Sequence, residues 1–144
     1  MSSHQTGTEA PIRIRLRRVY APPEADDGMR VLVDRIWPRG VSKERARVDL
    51  WLRDVAPSDD LRRWFGHDPA RWEEFQARYR QELEDDPVRL APLFEAVRRG
   101  PVTLLYSARD EHHNQAVALK AIVEERLRSE QETRRVLESR HRGR

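Results

Sequence analysis

Ile12, Ile14 and Leu16 alternate with Arg13, Arg15 and Arg17, the two-residue period of a strand with one buried and one wet face. After the turn-forming Pro22, Pro23, Asp26, Asp27 and Gly28, the run Val31-Leu32-Val33 predicts a short strand covered on both faces and ending at Asp34. Trp37-Pro38-Arg39-Gly40 must be irregular, because proline restricts its own φ and the residue before it while glycine permits a left-handed turn. Ser58 followed by Asp59 and Asp60 reads as the cap of a short helix that carries Leu61, Trp64 and Phe65 and stops at Gly66. Asp68 and Pro69 open the next helix, in which Trp72, Phe75, Tyr79 and Leu83 recur three and four residues apart.

Val88 to Val97 predicts a further helix, closed by Arg98, Arg99, Gly100 and Pro101, and Val102-Thr-Leu-Leu-Tyr106 reads as a buried strand. Asp110 is placed to cap a last helix with Ala116, Leu119, Ile122, Val123 and Leu127 on its apolar face. Apolar strands separated by helices predict an α/β fold: one layered domain, residues 12–127, with a small, mostly parallel sheet flanked by helices. Residues 1–11 read as a mobile tail, and 128–144 as a charged helical extension or basic tail.

Composition narrows the function classes. The 144 residues suit one core. With no cysteine, disulfides, thiolate metal sites and cysteine nucleophiles are excluded. No apolar stretch is long enough for a membrane span and the N-terminus lacks a signal peptide's apolar segment, so cytoplasmic residence is the expectation. The formal charge of +3 lies wholly in residues 128–144; the rest of the chain is balanced, so the high isoelectric point alone does not imply nucleic-acid binding.

In a parallel sheet, ligands bind beyond the carboxyl ends of the strands. One strand runs into Asp34, Arg35, Trp37, Arg39 and Gly40, the other into Ser107, Arg109, Asp110, His113 and Asn114. Guanidinium forks match carboxylate and phosphate oxygens, and a helix starting after Asp110 would add backbone N–H donors. Arg35, Trp37, Arg39, Gly40, Ser107, Arg109 and Asn114 are therefore candidate ligand-binding residues, with His113, Asp34 and Asp110 as candidate acid/base groups. The same charges would also serve as a salt-bridge network holding two loops to the sheet. Trp72, Phe75, Tyr79, Trp51 and Trp64 read as core, Trp37 as either packing or a stacking platform, and His67 as a packing or capping residue. No metal-ligand spacing, dinucleotide glycine motif, phosphate-binding loop or serine elbow is present, and no cofactor is implied.

Leu32-Val-Asp-Arg-Ile-Trp-Pro-Arg-Gly-Val-Ser-Lys43, Asp49-Leu-Trp-Leu52, Ala56-Pro-Ser58, Leu61-Arg-Arg-Trp-Phe-Gly-His67, Val102-Thr-Leu-Leu-Tyr-Ser-Ala-Arg-Asp110 and His113-Asn114 together resemble the YeaO-like family, domain of unknown function 488, over residues 12–127. The resemblance implies a small α/β domain and points to the Asp-Arg-x-Trp-Pro-Arg-Gly and Ala-Arg-Asp segments, with no reaction attached. A related branch carries cysteine near the end of the strand matching Val102–Tyr106; Tyr106 and Ser107 stand here, so a cysteine mechanism does not transfer. Three functions are in contention. The first is a strand-end pocket for an anionic small molecule bearing phosphate, nucleotide or carboxylate, with acid/base chemistry open to it. The second is a nucleic-acid-associated module using Arg13, Arg15, Arg17 and the tail, with Trp37 stacking on a base. The third is a structural interaction domain, and oligomeric state is left open.

Overall fold

The computed structural model describes residues 11–142. Its elements follow the order β1 (Ile14–Arg18), β2 (Met29–Leu32), α1 (Lys43–Ala46), β3 (Leu50–Trp51), α2 (Asp59–Phe65), α3 (Trp72–Asp85), α4 (Ala91–Arg99), β4 (Val102–Tyr106) and α5 (Gln115–Arg142). The four strands form one sheet in the order β1-β4-β2-β3, every neighbouring pair parallel. This is the expected α/β architecture. Residues 1–10 of the predicted N-terminal tail lie outside the described residues.

Side chains of successive strand residues point to opposite faces, and the core divides accordingly. Val31, Val33, Val102 and Leu104 pack on one face against Phe75, Tyr79, Leu93, Leu119 and Val123 from the long helices. Leu32 and Leu105 point the other way, into a smaller cluster with Val19, Ala46 and Val48, against which Trp37, Val41 and Trp51 pack. The helical face is anchored by an aromatic ladder in which Phe65 and Phe75 stack at 4.3 Å and Trp72 and Phe75 at 5.7 Å. The fully buried Tyr79 hydroxyl donates to the Val55 carbonyl, the partner that a buried phenol requires.

Local chemistry sets the element ends as the sequence suggests at α2, where the Ser58 hydroxyl accepts from the Leu61 N–H and Gly66 closes the helix at φ 53°. Three boundaries differ. Asp68 and Pro69 open a single 3₁₀ turn before α3, and β3 is a two-residue strand too short to produce a period. Asp110 does not cap α5; it accepts from the N–H groups of His112 and His113, and Asn114 Oδ1 caps the helix by accepting from Ala116 and Val117. The side chain nearest the first unsatisfied N–H groups wins this role, and that is Asn114. Beyond Leu127, its last buried residue, α5 runs on to Arg142, which makes the charged end helical.

Gly28 lets the chain enter β2 alongside Pro101. Its φ is +67°, and a Cβ there would lie 2.2 Å from the Pro101 oxygen, which accepts from the Met29 N–H. Gly40, at φ +76°, has nothing within 4 Å of the same position. Gly28→Ala should therefore lower unfolding free energy in urea by about 2–4 kcal/mol, whereas Gly40→Ala carries only the backbone cost, about 1 kcal/mol. Equal losses in the two variants would show that the Pro101 contact is unimportant.

Candidate functional site

Because β2 and β4 are parallel neighbours with Leu32 opposite Leu105, the residues leaving their carboxyl ends emerge side by side. Asp34 and Ser107 meet there. The Asp34 carboxylate is 8% exposed, and its Oδ2 accepts from the Ser107 hydroxyl at 2.5 Å and backbone N–H at 3.2 Å. Its Oδ1 accepts from Gln115 Nε2 at 2.6 Å, and the Asp34 carbonyl accepts from the Trp51 indole at 2.7 Å. One residue thus ties the ends of β2 and β4 to the start of α5 and to β3.

These groups form one wall of a cavity of about 580 Å³. Phe65 and Phe75 supply apolar surface, Ile36 stands 62% exposed beside it, and Arg35, Arg62 and Arg109 bring three guanidinium groups to the lining. Arg35 donates to the Pro57 carbonyl at 3.2 Å and lies 3.8 Å from Asp59, which also holds Arg62 at 3.2 Å. Arg109 is exposed and makes no hydrogen bond or ion pair among the described residues. His67 also lines the cavity, at a left-handed φ of 58° that is uncommon for a residue with a side chain. Sequence spacing does not point to Arg62 and His67, because they reach the cavity only through the folding of α2 and its terminal turn against the strand ends.

The cavity's two carboxyl groups have different proton chemistry. Burial pushes Asp34 above the usual carboxylate range, against hydrogen bonds from Ser107 and Gln115 that pull it down. Asp110 is held below that range, first by the His112 backbone N–H and then by the His113 imidazole, whose Nδ1 lies 2.9 Å from Oδ2. The two shifts run in opposite directions, and Asp110 serves as an acceptor within its own turn.

The structure gathers part of the predicted set and separates the rest. Asp34, Arg35, Ser107, Arg109, Asp110 and Asn114 all line the cavity. Trp37, Arg39 and Gly40 do not: Trp37 packs edge-on against Trp51 at 5.3 Å in the cluster on the opposite sheet face and donates to the Val41 carbonyl. The Arg39 carbonyl accepts from Tyr20, which fastens that loop to the β1 side. His113 turns away from the lining to lie edge-on to Trp72 at 5.4 Å, clamped by Asp110. The backbone N–H groups expected to be open at the start of α5 are taken by Asn114 at Ala116 and Val117. Among the described residues, Glu24, Asp26 and Asp27 are the only group of three ligand-type side chains close enough to share a metal ion, and Arg15, Arg17 and Arg30 already pair with them.

A raised folded-state pKa means that Asp34 contributes most to stability below its unfolded pKa, and that this contribution is lost as pH rises through the folded value. Asp34→Asn has no such titration. In urea unfolding, the stability of the parent relative to Asp34→Asn should fall as pH rises from the unfolded carboxylate range toward neutrality. A difference that stays flat or grows over that interval would contradict the assignment.

Comparison with known proteins matches most of the chain, including the segments that line the cavity. A family model described as the inactive DUF488-N3 subclade matches residues 13–140. The chain is 44% identical over 111 residues to an uncharacterized protein of Mycobacterium tuberculosis, covering 77% of this chain and 93% of that protein. It is 37% identical over 108 residues to the uncharacterized protein YeaO of Escherichia coli, covering 75% of this chain and 94% of that one. No solved structure matches it. The strand-end segments that build the cavity are thus those of a family, and the chain belongs to the YeaO-like DUF488 family, in the subclade described as inactive DUF488-N3.

Proposed function

We propose that the protein binds an anionic small molecule, a phosphate ester or nucleotide, in the cavity at the carboxyl ends of β2 and β4. The observation that carries this reading is Arg109, an exposed guanidinium without a partner among the described residues, at a cavity whose other arginines already share a carboxylate. Asp110 is compensated by the N–H groups around it, and the lining carries three guanidinium groups, of Arg35, Arg62 and Arg109, against the two carboxyl groups of Asp34 and Asp110. The exposed Ile36 and half-buried Ala108 offer apolar surface, backed by the buried Phe65 and Phe75, and a volume of about 580 Å³ suits a ligand of nucleotide size.

Binding is favoured over turnover. Ser107 uses its hydroxyl to hold Asp34, His113 is directed at Trp72, and the matching DUF488-N3 subclade is described as inactive. The nucleic-acid reading loses much of its basic face. Arg15 lies 3.1 Å from Glu24 and from Asp26, and Arg17 lies 2.8 Å from Glu24, so two of the three strand arginines are already matched within the chain.

Adenosine monophosphate, adenosine and inorganic phosphate are suitable probes for isothermal titration. The monophosphate should bind in the micromolar to millimolar range and more tightly than either fragment, because it fills the apolar wall and meets the guanidinium groups together. Arg109→Ala should weaken it by about tenfold or more, the loss of one charge-assisted hydrogen-bonded contact, with the thermal midpoint unchanged. Equal affinity in the parent and the variant, or no binding by any probe at millimolar concentration, would remove the proposal.

A further inference from the structure

We propose, building on the anion-binding reading above, that His67 is a second binding residue of the strand-end cavity, its imidazolium holding the ligand's phosphate group beside Arg109. His67 is exposed, lines the cavity and makes no hydrogen bond or ion pair among the described residues. The Phe65 ring lies 6.3 Å from it, tilted, which leaves both imidazole nitrogens free to meet a ligand. The backbone brings the ring there against its own preference. The Asp68 N–H donates to the Phe65 carbonyl at 3.0 Å, closing a turn whose two central residues, Gly66 and His67, have φ of 53° and 58°. Glycine takes such a φ freely, and a residue with a side chain takes it under strain. A turn that served only to end α2 would favour a second glycine; histidine keeps the strain and presents an imidazole to the cavity.

Most charged groups around His67 are already engaged. On α2, Arg62 pairs with Asp59 at 3.2 Å. Asp68, the next residue, accepts from the Ala70 N–H and lies 3.8 Å from Arg71. Beyond β2, Asp34 is occupied by Ser107 and Gln115, and Arg35 lies 3.8 Å from Asp59. Beyond β4, Asp110 pairs with His113, whereas Arg109 has no partner among the described residues. His67 and Arg109 are thus the two side chains of the lining with cationic capacity that no described carboxylate meets. An imidazole gains its proton between about pH 5 and 8, so the second positive charge is present at the acid end of that interval and lost at the other. A phosphate group has three acceptor oxygens, enough for a guanidinium and an imidazolium together.

Adenosine monophosphate and adenosine, titrated calorimetrically into the parent and into His67→Asn near both ends of that interval, separate the outcomes. Asparagine tolerates the left-handed φ, so the turn is kept while the titrating ring is lost. At about pH 5.5 the parent should bind the monophosphate about tenfold more tightly than His67→Asn, and at about pH 8.5 to within about twofold of it. The ratio at each pH cancels the ionisation of the phosphate and of Asp34, which both chains share. Adenosine should bind the two chains alike. In nuclear magnetic resonance, the His67 ring should titrate at higher pH with the monophosphate present, because a nearby anion favours the charged imidazole. A ratio that does not change with pH, an equal loss for adenosine, or a His67 titration unmoved by the bound monophosphate would overturn the assignment and leave the Arg109 contact standing. A parent that binds the monophosphate at neither pH would remove the anion-binding reading itself, and this inference with it.

Discussion

The carboxylate of Asp34 is the interaction on which the architecture of the site depends. It sits between the ends of two parallel strands, where backbone groups lose their ladder partners, and takes up the Ser107 N–H and hydroxyl and the Gln115 amide. Removing a carboxylate from water is costly, and here burial outweighs the stabilising hydrogen bonds, leaving the proton easier to hold than in a solvated acid. The fold accepts that cost at a point where one side chain joins β2, β4 and α5. The cavity lies beside this bridge, with Asp34, Ser107 and Gln115 in its lining.

The pleat of the sheet decides what faces that cavity. Leu32 and Leu105 turn toward the small cluster, and the loop after Asp34 follows them, carrying Trp37 onto Trp51. Arg35 stays on the cavity side because the carbonyls of Ala56 and Pro57 accept from it, and the α2 segment they precede brings Arg62 and His67 to the same wall. A family motif contiguous in sequence, Asp34 to Gly40, is thus divided between two faces. Its first residues shape the cavity, and its later ones pack the opposite side.

Arginine is abundant here, yet much of it works inside the molecule. Arg15 and Arg17 join β1 to the acidic turn before β2, the nearly buried Arg30 bonds to Asp27 at 2.5 Å and to the Ala46 carbonyl, and Arg53, Arg71 and Arg78 lie over tryptophan rings. Exposed pairs of this kind stabilise little individually. They do consume the charge that a basic composition suggests is available to a polyanion. Among the described residues, Arg109 stands outside any such pair.

Periodicity alone determined the strands Ile14–Arg18 and Val102–Tyr106, the helices with Trp72, Phe75, Tyr79 and Leu83 or with Leu119 and Val123, and hence a parallel α/β sheet. Those features are local: each follows from the spacing of apolar side chains and from caps such as Ser58 and Gly66. The two-residue β3, the transfer of the α5 cap from Asp110 to Asn114, and the separation of Trp37, Arg39 and His113 from the cavity were not legible, nor was the arrival of Arg62 and His67. Each depends on which of several competing partners lies nearest once the chain is packed: an N–H group, an opposing indole, a neighbouring carbonyl. Sequence spacing states which groups seek partners; only the folded geometry selects among the partners on offer.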